Sequence, residues 1–196
     1  MKNFSFLLAF VALIGLAFTN PASAPVMVDT NASYVKWTGY KVTGKHFGKV
    51  KIQDGKLDYN NGVLTGGSFV MDMKSISVED ISGEYANKLR GHLMSDDFFG
   101  VEKHPMAKFV ITKAISRGTP GAYKVIGNLT IKGITKEIRF NADLKEENGK
   151  TIGVASMKID RSEFDIRFGS GSFFENLGDK TIYDEFDLDV NLVVSK

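Results

Sequence analysis

The chain has 196 residues and no cysteine, with 25 lysines and arginines against 23 aspartates and glutamates. The formal net charge of +2 argues against nucleic acid as a partner, because nucleic-acid binding requires a strongly basic face. Without cysteines the fold has no disulfide bonds, so its stability has to come from the burial of apolar side chains.

The first residues have the pattern of a secretory signal peptide. A short basic start is followed by an almost continuous apolar run over residues 4–18, and then by Ala22-Ser23-Ala24, a small-x-small cleavage pattern. The run is short for a membrane span, which needs about 20 residues. Pro25 would directly follow the cut, where proline is poorly accepted, so the exact cut site stays open. An uncleaved anchor is the alternative.

We therefore predict a signal peptide over residues 1–24 and a single domain over residues 25–196, located in the periplasm or secreted. No cysteine follows the apolar run, which excludes a lipid-anchored lipoprotein. No second long apolar run follows Phe18, so we expect no transmembrane segment in the mature chain. Its length fits one domain with a sizeable core.

Alternation of apolar and polar residues predicts eight β-strands joined mostly by short turns. The last run is the most regular: Phe186, Leu188, Val190 and Leu192 alternate with mostly polar neighbours. Gly44-Lys45 is the expected turn between the first two strands. The predicted strands are 34–42, 46–52, 63–73, a run from 107, 122–131, 134–144, 151–159 and 184–194.

Between the third and fourth strands the period changes. Tyr85, Leu89 and Leu93 are spaced four apart, which predicts a short helix around residues 82–95. The helix is followed by Asp96-Asp97 and by two adjacent phenylalanines. A helix that interrupts a run of strands in this way is predicted to cap the structure.

The predicted strands each have one apolar face, and these faces must meet in the interior. Two architectures satisfy this requirement: a sandwich of two sheets, or one sheet closed into a barrel. Eight strands is the size at which a barrel holds one small ligand. Glycines within the strands (Gly39, Gly67 and Gly127) suit the bends that a barrel needs.

Few residues carry a signal for metal binding or catalysis. His46, His92 and His104 have no metal-ligand spacing, and no cysteine is available, so we expect no metal site. We interpret Asp96-Asp97 as a turn or helix cap, since adjacent carboxylates rarely point at one substrate atom. No nucleophile elbow surrounds any serine.

The segment from Gly169 to Lys180 is rich in glycine but lacks the P-loop spacing. We interpret it as a structural loop anchored by Phe173-Phe174. The alternative is that its backbone amides and Lys180 meet an anionic or polar head group.

Two arginines precede that loop. Arg161 and Arg167 are expected to pair with Asp160, Asp165 or Asp184. The alternative is that they hold a pyrophosphate or quinone oxygen, which guanidinium groups bind well.

Large, flexible side chains recur on the apolar faces of the strands. Such a lining fits either a flexible ligand chain or a filled core, and periodicity alone leaves both open. The residues concerned are Phe69, Met71, Met73, Phe109, Phe140 and Phe186.

Four long motifs span residues 91–109, 127–140, 159–174 and 176–188. They resemble the YceI family, exported bacterial proteins with a lipocalin-like, polyisoprenoid-binding barrel. The resemblance covers essentially the whole mature chain. It implies an all-β fold, an eight-stranded antiparallel barrel around a long hydrophobic pocket. It also implies an isoprenoid chain, isoprenoid quinone or related lipid as ligand, with no known catalysis and no further cofactor.

The resulting hypothesis is a periplasmic protein that binds and carries or stores a long amphiphilic lipid. Leu93, Phe98 and Phe99 are expected to close one end of the barrel, and Arg167 and Phe173 are also predicted to bind the ligand. A homodimer is left open. The residues predicted to contact the lipid tail are Trp37, Phe69, Met71, Phe109, Ile111, Leu129, Phe140, Phe186 and Leu188.

Two other classes of function remain as alternatives. An enzyme acting on a bound lipid or quinone would need a titratable group in the pocket, for which His92 and Tyr123 are the candidates. A stress-related interaction module would instead have a filled barrel.

Overall fold

The computed structural model of the protein describes residues 25–195, so the predicted signal peptide lies outside the described residues. This part of the chain contains one α-helix, α1 (Gly83–Met94), and nine β-strands. The strands are β1 (Val26–Met27), β2 (Tyr34–Lys41), β3 (Gly44–Asn60), β4 (Val63–Asp72), β5 (Met106–Ser116), β6 (Ala122–Ile131), β7 (Ile134–Glu147), β8 (Lys150–Asp160) and β9 (Ile182–Ser195). Short 3₁₀ helices cover Met73–Ser75, Arg161–Phe164 and Gly178–Lys180.

Strands β2 to β9 form one closed antiparallel sheet. The order of neighbours is β3-β2-β9-β8-β7-β6-β5-β4, and β4 pairs again with β3 to complete the circle. The two-residue strand β1 adds to β3 at Leu57 and Lys56. The predicted eight-stranded antiparallel barrel with a helix around residues 82–95 is therefore confirmed, with β1 as a short addition.

The turn between the first two strands is predicted at Gly44-Lys45, which is wrong because the turn lies two residues earlier. Lys41 pairs with Gly44, so the turn consists of Val42 and Thr43. The next strand also extends to Asn60, well past its predicted end at residue 52. A register shift between Ile52 and Asp54 explains the difference, because a bulge reverses the alternation and hides the continuation of the strand.

The long connections lie at one end of the barrel. Because the strands run antiparallel in sequence order, the turn 42–43, the segments 73–105 and 161–181 and the turn 132–133 share this end, which we call the lid end. The short hairpin turns after β3, β5 and β7 lie at the opposite end, the hairpin end. Residues 73–105, which include α1, are called the lid.

The lid is attached to the edge of β3 that β4 leaves unpaired. The Ser77 N–H donates to the Lys49 carbonyl at 2.9 Å, and the Glu79 N–H donates to the Phe47 carbonyl at 2.8 Å. The Asp80 carboxylate accepts from the Phe47 N–H at 2.9 Å and contacts His46 Nδ1 at 2.7 Å. These bonds continue the sheet beyond its last regular pair.

The helix packs on the barrel through its C-terminal half. Leu93 is buried and Leu89 is half-buried, whereas Tyr85 remains 76% exposed. The predicted apolar stripe is therefore correct for two of its three residues. Arg90 donates to the Ile76 carbonyl at 2.8 Å and to the Lys74 carbonyl at 2.9 Å, which joins the helix to the start of the lid.

Gly127 in β6 has to be a glycine because the Phe109 ring fills the space that a side chain would occupy there. A Cβ atom there would lie 2.5 Å from Phe109 Cζ and 2.5 Å from the Val110 carbonyl oxygen. We expect Gly127→Ala to lower the free energy of unfolding by about 1–3 kcal/mol, the usual cost of overpacking. Urea denaturation measures this loss.

Gly91 is the matched control, since a Cβ atom on this helical glycine meets nothing within 4 Å. Gly91→Ala is expected to raise the free energy of unfolding by about 0.5–1 kcal/mol. Equal effects of the two substitutions would contradict the packing argument at Gly127.

The attachment of the lid is predicted to depend on pH. Burial opposes ionisation of Asp80, but hydrogen bonds from the Phe47 N–H and from His46 outweigh it and hold the pKa of Asp80 below its ordinary value of 3.8. A lowered pKa stabilises the fold above the pKa of the unfolded chain, and this stabilisation is lost as the pH falls through the folded value. At neutral pH we expect Asp80→Asn to cost about 1.5–3 kcal/mol.

The pH dependence of this cost is measured by urea unfolding of both proteins at pH of about 5 and about 3. The difference between wild type and Asp80→Asn is expected to shrink at the lower pH. An unchanged difference would show that ionised Asp80 does not hold the lid.

Candidate functional site

The interior of the barrel contains a cavity of about 120 Å³ next to the lid, called the upper cavity. Every residue that lines it is apolar. Met73, Ile76 and Phe99 come from the lid, and the others lie on the inner faces of the strands. The lining consists of Val35, Trp37, Val50, Ile52, Phe69, Met71, Met73, Ile76, Phe99, Ala107, Phe109, Leu129, Ile131, Ile138, Phe140, Met157, Phe186, Leu188, Val190 and Leu192.

Trp37 contributes an apolar ring to the cavity because its polar atom is satisfied elsewhere. The indole N–H donates to the Ser77 carbonyl oxygen of the lid at 3.1 Å. Gly48, which pairs with Trp37, leaves room for this contact, since a Cβ atom there would lie 1.9 Å from the same oxygen. The bond thus fixes both the ring and the lid.

A second, smaller cavity of about 60 Å³ lies toward the hairpin end and is called the lower cavity. Its lining is also entirely apolar. Phe69, Phe140, Val190 and Leu192 line both cavities. The residues that line only the lower cavity are Leu57, Leu64, Ile111, Val125, Ala142, Leu144, Gly153, Val154 and Ala155.

The two adjacent phenylalanines of the lid close the upper end of the site. Phe99 lines the cavity. The ring of the buried Phe98 lies 6.2 Å from the Phe99 ring and 5.1 Å from the His92 ring, measured between ring centroids. His92 in turn meets Phe168 edge-on at 4.4 Å between ring centroids. This aromatic cluster joins the lid to the segment 161–181.

Lys132 connects the loops of the lid end. Its ammonium group donates to the Asp96 carbonyl at 2.9 Å and to the Asp165 carbonyl at 3.2 Å. A single side chain in the turn between β6 and β7 therefore holds both the lid and the segment 161–181.

Arg161 is the most buried charged residue of the described chain, at 3% exposure. Its guanidinium group donates to four backbone carbonyls and lies 3.2 Å from an Asp184 carboxylate oxygen. The same group also lies over the ring of Phe98. Burial lowers the pKa of Arg161, and the nearby Asp184 charge opposes this shift. The carbonyls belong to Ile166, Phe168, Ile182 and Tyr183.

These contacts show how the segment 161–181 is built. All four carbonyls belong to this segment or to the start of β9, so the arginine takes the place of regular backbone pairing there. Arg167 differs, because it is exposed, pairs with Asp165, and stacks on the Phe173 ring at 4.9 Å. Both arginines pair with aspartates, as the sequence indicated.

The predicted ligand-contacting residues fall into four groups. Most of them line the upper cavity, while Ile111 lines the lower one. Leu93 and Phe98 are buried in the core next to Phe99 and are not part of either lining, and Arg167 and Phe173 are exposed at the lid end. Those in the upper lining are Trp37, Phe69, Met71, Phe99, Phe109, Leu129, Phe140, Phe186 and Leu188.

Sequence reasoning missed about half of the lining. Val35, Val50, Ile131 and Ile138 share the inward phase of their strands, so the alternation already marked them. Ile76 carries no such signal, since it lies in the irregular part of the lid and reaches the cavity only through the tertiary fold.

The candidates for catalysis lie apart from the upper cavity. Tyr123 is buried, and its hydroxyl oxygen accepts from the Leu64 N–H at 3.4 Å. His92 lies in the aromatic cluster of the lid. Within residues 25–195, no group of three or more histidine, aspartate and glutamate side chains is placed to hold a metal ion.

The depression outside the aromatic cluster has mixed charge. Lys132, Arg167 and Lys180 line it together with Asp96, Asp97 and Asp165. Opposite charges in equal number give this surface no strong preference for an anion.

An antiparallel eight-stranded barrel with an apolar interior and one capping helix is a lipocalin-like fold. The YceI-like domain model matches residues 27–194, and the chain belongs to this family. In the part of the chain that the structure describes, no helix is long and apolar enough to cross a membrane.

Individual relatives agree with this assignment. A UPF0312 protein of Photorhabdus laumondii is 30% identical over 72% of this chain and 82% of its own. The crystal structure of Burkholderia cenocepacia BcnA has a TM-score of 0.70 at 20% identity, covering 85% of this chain and 98% of that one. A polyisoprenoid binding domain from Saccharophagus degradans has a TM-score of 0.61 at 12% identity, covering 86% and 97%. At these identities the two structures show the shared fold.

The two arginines are predicted to differ sharply in their contribution to stability. Arg161→Met leaves the half-buried Asp184 without its cation and four carbonyls without their donor, so we expect a loss of about 3–5 kcal/mol in the free energy of unfolding. Arg167→Met removes an exposed pair and is expected to cost at most about 1 kcal/mol. Thermal and urea denaturation of both variants test this contrast, and similar losses would contradict it.

Proposed function

We propose that the protein binds a long amphiphilic lipid inside the barrel and carries or stores it outside the cytoplasm, in the periplasm, after removal of residues 1–24. The ligand class is an isoprenoid chain, an isoprenoid quinone or a similar lipid. The observation that carries the proposal is the upper cavity, which has a fully apolar lining inside a closed barrel. Membership of the YceI-like family and the polyisoprenoid binding neighbour support the choice of ligand.

The energetics favour a chain-like ligand. Burial of each methylene group contributes about 0.8 kcal/mol, so roughly ten buried methylenes give about 8 kcal/mol before ordering costs. This free energy corresponds to a dissociation constant of about 1 μM. A polyprenyl tail has more carbon than this minimum, and an apolar cavity discriminates only weakly between similar chains.

The present cavity is smaller than such a ligand. Its volume is about 120 Å³. A cavity of about 150 Å³ holds a single benzene ring. Binding a longer chain therefore requires lining side chains to move. Met71, Met73 and Met157 suit this role, since methionine is unbranched and changes rotamer at low cost.

The other functional classes receive less support. Acid–base chemistry needs a titratable group at the reacting atoms, and every residue that lines the two cavities is apolar. An interaction module with a filled barrel does not account for two apolar cavities in the interior.

The proposal is tested on protein produced with its natural N-terminus and purified without detergent. Organic extraction followed by mass spectrometry is expected to recover an isoprenoid or related lipid. Delipidated protein should rebind a soluble quinone, followed through the emission of Trp37, the single tryptophan, which lies in the cavity wall. Absence of both lipid and quinone binding would refute the proposal.

A charge placed in the cavity is predicted to abolish binding. Leu188 lies between Trp37 and Met157 on the inner wall, and Leu188→Lys would bury an ammonium group without a partner. Because such a charge opposes an apolar tail, we expect quinone affinity to fall at least about 100-fold.

Val110→Lys is the matched control, because Val110 is exposed on the outer wall of β5. It is expected to leave quinone affinity within about twofold of wild type. Circular dichroism of both variants checks that the barrel is intact. Equal binding by the two lysine variants would place the ligand outside the upper cavity.

A further inference from the structure

The boundary between the upper and lower cavities is formed by two aromatic rings together with Val190 and Leu192. Phe69 and Phe140 line both cavities, so free space lies on two sides of these rings. The Phe109 ring contacts both of these rings. Its centroid is 6.4 Å from that of Phe69 and 5.4 Å from that of Phe140. Phe69, Phe109 and Phe140 are called the phenylalanine layer.

The phenylalanine layer extends from β4 to β7 because β6 has a glycine, Gly127, where it would otherwise place a side chain between Phe109 and Phe140. Phe69 on β4 pairs directly with Phe109 on β5, but β6 lies between Phe109 and Phe140 on β7. Gly127 is the β6 residue that the Phe109 ring covers. Without a side chain at Gly127, the Phe109 ring reaches across β6 and meets Phe140.

The three rings differ in how tightly they are held. Phe69 and Phe109 are buried and nearly parallel, with an angle of 20° between their planes. Phe140 retains more accessible surface, although it lies on the inner face of β7, and it is tilted by 46° to Phe109. Phe140 is therefore the least enclosed of the three rings.

We propose that the phenylalanine layer is a movable partition that sets the length of chain the barrel accepts, with Phe140 as its moving part. This proposal rests on the proposed lipid-binding function. Short chains occupy the upper cavity and leave the partition in place. Longer chains displace the Phe140 ring and put their terminal isoprenoid unit into the lower cavity, whose apolar lining suits the hydrocarbon end of the ligand.

The test uses three isoprenoid alcohols that differ by one isoprene unit each: geraniol, farnesol and geranylgeraniol. Calorimetric titration of delipidated protein gives the affinity for each, and the informative quantity is the ratio of geranylgeraniol to geraniol affinity. Phe140→Ala joins the two cavities. We expect this substitution to raise the ratio about tenfold over wild type, the usual scale for added apolar contacts in a pocket.

Phe186→Ala is the matched control. It removes the same side-chain volume, but Phe186 lines only the upper cavity. Its ratio is expected to stay within about twofold of wild type, whatever its effect on each affinity. A shift in Phe140→Ala no larger than that in Phe186→Ala would overturn the partition.

Filling the lower cavity tests the same idea in the opposite direction. Ala155 on β8 lines only the lower cavity, so Ala155→Leu reduces its volume and leaves the layer intact. We expect this substitution to lower the ratio about tenfold. Combined with Phe140→Ala, it should return the ratio to near the wild-type value. An unchanged ratio in Ala155→Leu would also overturn the proposal.

Folding is checked by circular dichroism, and Phe140→Leu replaces Phe140→Ala if the latter does not fold. The leucine variant is expected to raise the ratio in the same direction by a smaller factor. Wild-type protein that binds none of the three alcohols would count against the proposed function itself. Binding with an unshifted ratio would count against the partition alone.

Discussion

Closure of the sheet by the pairing of β4 with β3 is the constraint on which the rest of the structure depends. A closed sheet pairs its strands around the wall and sends one face of each strand into a common interior. Polar groups are costly to bury without partners, so the inward positions are apolar. Any space left between them is suited to hydrocarbon, and the two cavities are such spaces.

The closure is incomplete at the lid end, and the chain compensates for this with specific polar contacts. The first part of β3 has no regular partner on the side of β4, and the lid supplies hydrogen bonds to it through Ser77 and Glu79. Arg161 does the same for the segment 161–181 by donating to four carbonyls. These polar contacts of the irregular segments lie outside the lining of the upper cavity, which is apolar throughout.

This separation of polar and apolar groups bears on function. Six charged residues of the lid end line an outer depression of mixed sign, whereas the cavity wall is apolar throughout. An amphiphile fits such a division, because its tail needs only an apolar space and its head needs access to water. For the proposed ligand, the cost of moving methionine and phenylalanine side chains would be small compared with the gain from burying several isoprene units.

The sequence was enough to predict the strands, the helix and about half of the residues that line the upper cavity. Strict alternation in residues such as Phe186, Leu188 and Val190 identifies the face that is buried, and the long motifs identified the family. Alternation was less informative at the bulge after Ile52, where the phase reverses.

Tertiary structure decided which buried faces meet and how much space they leave. Periodicity is a property of one strand, so it cannot distinguish a closed barrel from a sandwich, and it says nothing of distances across the interior. The reach of Ile76 into the cavity and the burial of Arg161 depend on how the connections fold back over the barrel end. The passage of the Phe109 ring over Gly127 depends on the register of β5 against β6, because only pairing places a ring from one strand beside a missing side chain on the next.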